Sequence, residues 1–525
     1  MEGRTELRSS RREAYGLFLL VSVLIVLFAG SLRAYRISQR SLWLDEAIAA
    51  NISRGTLSQT LTLTRDLHSA PIVDPLILYA VEKVGTGPLA VRLPSLAASI
   101  LSVIVMLCFV TIPTIDYKTA VLSAFMLSIS AAQIRYAQEV REYSLSVLYA
   151  AALLYVFLSY VSKKEEDNSP IPLYAILFFA PLVQYGLVLF SFGVLSALLI
   201  LAVTHNKPGR QIGQIITATG FLGLGGLLSL FLTLRYQWGD DAWYLNDYFL
   251  APHSSVVRFV LSNTRQLIGF LLPGFATILI STIAIIVYLV GSIRTRIAPP
   301  LAVLACTSCG AVLSCSMLHL YPYGGIRQCL FLAPLLCLLA SVSLVQVADR
   351  YAGRASAIVF VAIVCVVIAS GIHQIRVMKP YAEVENIQQI LLTLRAQIQP
   401  GDAVYIYPGA VFAVDYYVKP RDPRFIYANY HQQAPEKYVP EMLGGLGPQA
   451  NRLWLVFSHI YRDEDQRILH DLSKNWNVKS VMSVTGSALY LATPRSAVAN
   501  AGVVADHTHD NFWDWNIRNS RHPAQ

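Results

Sequence analysis

Tyr15-Gly-Leu-Phe-Leu-Leu-Val-Ser-Val-Leu-Ile-Val-Leu-Phe-Ala-Gly-Ser-Leu32 holds no charged side chain and is long enough to cross a bilayer as a helix. A few residues later comes Ser41-Leu42-Trp43-Leu44-Asp45-Glu46. Two adjacent carboxylates just past a span sit near a lipid surface while still reachable by water. Either they form part of a site at the membrane boundary, or they are two solvated acids on an interfacial helix.

The rest of the chain extends the first stretch. Of its 525 residues, 55% are hydrophobic and 14% charged, well away from the soluble average of about 25% charged. Apolar windows fall near 15–32, 93–112, 119–134, 144–161, 171–184, 186–204, 212–234, 270–293, 299–318, 328–347 and 355–373. The expectation is a polytopic α-helical membrane protein of about eleven spans. A cleaved signal peptide is disfavoured for the first window, because the run continues into Leu32-Arg33-Ala34-Tyr35 without a small-x-small site.

Lys118, Lys163, Lys164, Lys207, Arg210, Arg294, Arg296, Arg350 and Arg354 fall in alternate loops, on the side of the basic N-terminus. By the positive-inside rule that side is cytoplasmic, and everything after about residue 374 is outside. The chain then belongs in the plasma or inner membrane. The long first outer loop, 33–92, breaks the pattern with Arg33, Arg36, Arg40, Arg54, Arg65, Lys83 and Arg92. So many outward cations would suit an anionic ligand. The net charge of +9 is accounted for by these loops and does not call for nucleic acid.

All seven cysteines lie in apolar segments, so no disulfide framework is implied. Cys306-x-x-Cys309 with Cys315 has partial metal spacing, but small residues packing in a span explain it better.

Beyond the spans the period changes. Val384, Ile387, Ile390, Leu391 and Leu394 recur at helical spacing, Val404 to Tyr407 reads as a strand ended by Pro408-Gly409, and Leu453 to Phe457 reads as a second, apolar strand. A helix with Ile468 and Leu472 and a hairpin turning at Thr485-Gly486 complete a small α/β domain over 374–495. The expected organisation is therefore 1–373 as the membrane domain, 374–495 as an extracytoplasmic α/β domain, and 496–525 as a disordered tail.

Four clusters could carry chemistry. Asp45 and Glu46 come first, one of them able to serve as a base toward an acceptor hydroxyl. Arg135, Glu139 and Glu142, which fall near one helical face, form a second with Arg141, in a run continuous with apolar sequence, where charge is costly unless it faces a wet cavity; the alternative is a helix hairpin turning at the outer surface with paired surface charges. His68 and Asp74, in the stretch His68-Ser-Ala-Pro-Ile-Val-Asp74-Pro-Leu-Ile-Leu-Tyr79, could contact a sugar or phosphate, or could be plain surface polarity. Tyr321-Pro-Tyr323-Gly324-Gly325-Ile-Arg327 precedes a late span, with glycines that allow close backbone approach to a ligand and an Arg whose planar fork suits phosphate. The alternative for Arg327 is an interfacial anchor.

Trp43-x-Asp45-Glu46, Ala90-Val-Arg-Leu-Pro-Ser95 and Tyr136-Ala-Gln-Glu139-x-Arg141-x-Tyr143-Ser144 follow one another in an order that resembles the GT-C fold glycosyltransferases. The resemblance is to family 39, the protein O-mannosyltransferase, aminoarabinose transferase and RgtA-like group, over residues 15–205 and loosely over 300–345. It implies an inverting transferase that uses a polyprenyl-phosphate sugar and a lipid, glycan or protein acceptor. In that group the residue matching Asp45 is the base, with Glu46 beside it and the acid matching Glu139 in the same cavity. Arg327, with Arg141 and Arg135, would grip the donor phosphate, and His68, Asp74 and Tyr323 would contact donor or acceptor. No cofactor is required, and a divalent metal is compatible but not necessary, since guanidinium groups can stabilise a leaving phosphate. The family's compact His-Pro-Pro-Leu-Tyr-Tyr segment is stretched here, which singles out the His68 to Tyr79 loop as unusual. A transporter or flippase of lipid-linked sugars is the alternative, using the same cations without a base.

Overall fold

The computed structural model describes residues 2–67, 70–85, 87–163, 169–204, 208–237, 243–294, 300–428, 438–446 and 451–495. The expected tail, 496–525, lies outside them. Two compact units emerge. One comprises Met1–Ile37, Ser69–Ile77 and Arg92–Tyr381, the other Ser38–His68, Leu78–Val91 and Ala382–Gln525. The stretch 33–92 is thus divided: most of it folds with the C-terminal region, and 70–77 folds with the apolar helices.

Among the described residues, eight helices are long and apolar enough to cross a membrane: Tyr15–Ala34, Pro88–Thr111, Tyr143–Ser162, Gly186–Thr204, Gln211–Gln237, Pro300–Met317, Arg327–Asp349 and Arg354–Met378. Two expected spans appear as the shorter helices Tyr117–Ile129 and Ile171–Val183. The window 270–293 differs more. The helix Val256–Leu271 turns by 116° into Phe275–Tyr288, with Pro273 in the break, where a missing amide stops helix continuation. Gln374 repairs the break by donating to Gly269 O (3.0 Å) and Leu272 O (2.9 Å) while accepting from Ala131 N (3.1 Å). Buried non-helical backbone is tolerated only when its polar groups find partners of this kind.

The helix Arg327–Asp349 is the centre of this unit, 83% of its apolar window being buried, whereas Tyr15–Ala34 is 11% buried and leaves Leu17, Leu20, Val23 and Leu27 exposed. Lipid-facing and protein-facing helices are thereby distinguished. Arg327, at the head of the central helix, inherits a fixed position from it.

The cations of the stretch 33–92 have structural partners. Five of the seven donate to backbone carbonyls: Arg33 to Leu127 and Ser128, Arg40 to Ala382, Arg54 to Tyr416, Lys83 to Gly55 and Arg92 to Ile37. Arg33 and Arg92 are fully buried. Carbonyls left over at helix ends and turns attract such donors, and a sequence does not show which loop cations will be spent that way.

The second unit contains a five-stranded sheet in the order β2-β1-β3-β5-β4. Its strands are β1 (Asp402–Ile406), β2 (Phe425–Tyr427), β3 (Arg452–Ser458), β4 (Trp476–Val484) and β5 (Ser487–Pro494). β1 runs parallel to β2 and β3, and β5 runs antiparallel to β3 and β4. The helices Ile387–Gln397 and Glu464–Ser473 and the Thr485-Gly486 hairpin match the sequence reading; β2 and the helix Val411–Tyr417 are additions, too short to carry a period. Tyr405, Tyr407, Leu453, Leu455, Phe457, Ile468 and Leu472 form its core. At the carboxyl end of β1, a side chain on Gly409 would lie 2.5 Å from His459 O and 2.6 Å from Ser458 O. Only glycine lets the ends of β1 and β3 come that close.

Candidate functional site

In the helical unit the polar residues gather where helices begin. The helix Ala131–Tyr136 stops before Ala137, and the helix Tyr143–Ser162 begins after Glu142, so Arg135 ends one helix while Glu139 and Glu142 lie in a tight connection rather than with it on one helical face. Arg135 Nε and Glu139 Oε1 pair at 3.0 Å, and Arg141 Nε and Glu142 Oε2 at 3.3 Å. Glu139, Arg141 and Glu142 are all buried. The guanidinium of Arg141 lies 5.6 Å from the Tyr143 ring centroid and that of Arg327 lies 5.5 Å from the same centroid. One aromatic ring therefore positions two cations from segments far apart in sequence, an arrangement suited to an anion carrying several oxygens.

Asp74 joins this group. It stands in the first turn of the helix Val73–Val84 and is buried, and its Oδ2 has no hydrogen-bond partner among the described residues. Burial foremost, then the charge of Glu142, pushes its carboxyl up to about 7 against the opposing pull of Arg141. A carboxyl poised there can give or take a proton near neutral pH.

The neighbouring segment is fixed by neutral hydrogen bonds. Gln237 donates to Ala70 O (3.1 Å) and accepts from the Tyr185 hydroxyl (2.7 Å), whose oxygen lies 3.0 Å from Thr233 Oγ1. Tyr321 accepts from Gln184 (2.9 Å) and donates to Gln328 O (2.8 Å). Burial raises both phenols, so they act as hydroxyl donors.

Tyr323, expected at the donor or acceptor, is buried with its hydroxyl 2.9 Å from Thr264 and its carbonyl accepting from Asn263. Gly324 and Gly325 approach Tyr248 and Gln266 rather than open space. His68 lies outside the described residues.

Asp45 and Glu46 belong to the second unit, in the first turn of the helix Leu44–Ser53. Glu46 is buried, whereas Asp45 is half-buried and so the more reachable of the two. The helix is seated by the C-terminal region: Leu44 N donates to Glu385 Oε2 (3.1 Å), Leu42 N to the Tyr417 hydroxyl (2.8 Å) and Asn51 Nδ2 to Phe412 O (2.7 Å). Glu385 also accepts from Ser458 (3.2 Å) and pairs with His459 Nδ1 at 2.6 Å. Neither Glu385 nor His459 was legible as a site residue. The available signal was position, His459 following the carboxyl end of a strand that has a parallel neighbour, where open sheets hold ligands. Among the described residues no group of three or more His, Cys, Asp or Glu side chains could hold a metal ion.

The Asp74 carboxyl has a stability consequence. A proton held more tightly in the folded state than in the unfolded one contributes fully below the unfolded value, near 4, and is lost as pH rises through about 7. The whole contribution is on the order of 4 kcal/mol. In detergent, the thermal midpoint of the full chain is expected to fall between pH 5 and pH 8, and Asp74→Asn should flatten that fall. An equal fall in both proteins would show that another group titrates.

No family model and no curated protein matches the sequence. Solved structures do match. ArnT from Cupriavidus metallidurans bound to undecaprenyl phosphate superposes with a TM-score of 0.54 at 13% identity, over 93% of this chain and 99% of that one. Its apo state gives 0.53 at 12%, over 92% and 98%. The archaeal oligosaccharyltransferase AglB from Archaeoglobus fulgidus, in complex with an inhibitory peptide and a dolichol-phosphate, gives 0.51 at 12%, over 90% of this chain and 74% of that one. This chain has the GT-C fold those transferases share, with a small mixed-sheet domain after the helices.

Proposed function

We propose that the protein is an inverting glycosyltransferase that moves a sugar from a polyprenyl-phosphate donor to a lipid, glycan or protein acceptor at the extracytoplasmic face of the plasma or inner membrane. The observation that carries this reading is the pair of guanidinium groups, Arg141 and Arg327, about one buried Tyr143 ring, in a fold that in ArnT is seen with undecaprenyl phosphate bound. Neither a nucleotide nor a resident cofactor is needed for such a reaction.

The chemistry assigns each residue a task. Asp45 takes the proton of the acceptor hydroxyl as its oxygen attacks the anomeric carbon. The bond from that carbon to the phosphate oxygen breaks on the opposite face, which inverts the centre, and the electron pair leaves on the polyprenyl phosphate. Arg327 and Arg141 stabilise the charge developing there. Glu142 orients Arg141 and Glu139 orients Arg135 through the ion pairs described above. Glu46, being buried, supports the first turn that carries Asp45.

The test uses purified full-length protein with radiolabelled polyprenyl-phosphate sugars and membrane-extracted acceptors. Donor consumption that depends on acceptor, with inverted product stereochemistry, is the expected result. Passage of intact donor across vesicles without consumption would replace the transferase with a transporter of lipid-linked sugars.

A further inference from the structure

We propose that Trp43, His459 and Tyr461 form a saccharide-binding subsite, in which the His459 imidazole accepts a hydrogen bond from a sugar hydroxyl. Calling that saccharide the acceptor rests on the transferase reading; the subsite itself does not.

His459 directly follows β3, and its backbone is held in the left-handed region at φ 49°, a conformation uncommon outside glycine and found where the surroundings enforce it. The enforcement is visible. Gly409 closes on the backbone oxygens of Ser458 and His459, and His459 N donates to Gly486 O at 3.3 Å. The side chain is fixed just as firmly. Glu385, buried at 2% exposure, spends one carboxylate oxygen on Leu44 N and Ser458 Oγ, and the other on His459 Nδ1 at 2.6 Å. With Nδ1 donating to a carboxylate, a neutral imidazole carries its lone pair on Nε2.

That nitrogen belongs to a ring that is 31% exposed, and no hydrogen bond involves it among the described residues. A packing histidine would not need a buried carboxylate to aim it. Tyr461 stands against the imidazole at 5.1 Å and 77°, and Trp43 lies 6.4 Å away at 31°. Two aromatic rings and an oriented acceptor atom match the two kinds of surface a pyranose or furanose offers, an apolar C–H face and an edge of hydroxyls. Trp43 is two residues from Asp45 and precedes the helix whose first amide Glu385 holds, so one carboxylate orders both the imidazole and the start of the Asp45 helix.

The probe is a panel of methyl α- and β-glycosides of glucose, galactose, mannose, arabinose and N-acetylglucosamine, observed by saturation-transfer NMR with the full chain in detergent. At least one glycoside is expected to show transfer to the C–H protons of one ring face. His459→Ala and Tyr461→Ala should each weaken its binding about tenfold, the loss of one hydrogen bond or one ring contact; His459→Ala, which leaves a buried Glu385 oxygen without its partner, should also lower the thermal midpoint. No glycoside contact in the wild-type protein, or contact unaffected by both substitutions, would overturn the subsite, as would tighter His459-dependent binding of a Ser/Thr peptide. The two readings fail separately: sugar transfer with binding indifferent to His459 removes only the subsite, and His459-dependent binding without any sugar transfer removes only the transferase.

Discussion

Asp45→Asn is expected to lower turnover by about 10²–10⁴ while leaving donor affinity within a factor of about two. Asparagine keeps the size of the side chain and most of its hydrogen bonding, but it cannot take a proton. The effect should therefore fall on the step in which the acceptor hydroxyl is deprotonated. Asp45 is chosen over its neighbour because Asp45 is half-buried and Glu46 is nearly inaccessible, at 1% exposure. Glu46→Gln should accordingly show itself mainly as lost stability. Single-turnover transfer measured beside equilibrium donor binding separates these outcomes, and near-normal turnover in Asp45→Asn would remove Asp45 from the chemistry.

The second large effect belongs to Arg327. Losing a cation that grips an anionic ligand away from bulk water costs about 2–5 kcal/mol, which corresponds to a loss of donor affinity of roughly 30-fold to several thousandfold. Arg327→Ala should reach that range in a binding assay with polyprenyl phosphate alone, which isolates the phosphate from the sugar. Arg327→Lys should recover only part of it, because an ammonium has neither the bidentate fork nor the flat face that rests near Tyr143. Arg141 carries a compensating partner in Glu142, so its removal should weaken binding less. If Arg327→Ala bound polyprenyl phosphate as well as the wild-type protein, the anchor reading of this residue would stand instead.

What the sequence made legible follows from how each signal is encoded. The spans are continuous apolar runs, so nearly all were placed; the misreadings came where a helix is shorter than a window, as at Tyr117–Ile129, or bent, as at Pro273. The sheet was legible in Val404 to Tyr407 and Leu453 to Phe457 because short runs of β-branched and aromatic residues, the first ended by Pro408-Gly409, are local signals. The polar residues were harder. Arg33 and Arg92 looked like outer-loop charges, yet they are consumed by carbonyls contributed from distant segments. Asp74 was visible as a carboxylate, but its company, Arg141 and Glu142, depends on residues 70–77 leaving the rest of the stretch 33–92 to fold with the apolar helices. Glu385 and His459 carry no spacing that ties them together; 74 residues separate two groups that meet at 2.6 Å.

The seat of the Asp45 helix also sets a timetable. The partners that fix Leu44 and Leu42 lie 341 and 375 residues downstream. At a synthesis rate of about 5–20 residues per second, the ribosome needs roughly 20 to 70 s to deliver them. Through that interval the nascent protein carries its proposed base on a segment that lacks the contacts that order it. A chain cut short before residue 385 retains Asp45 but not the carboxylate that holds its helix in place, so incomplete products of translation would be inactive by construction.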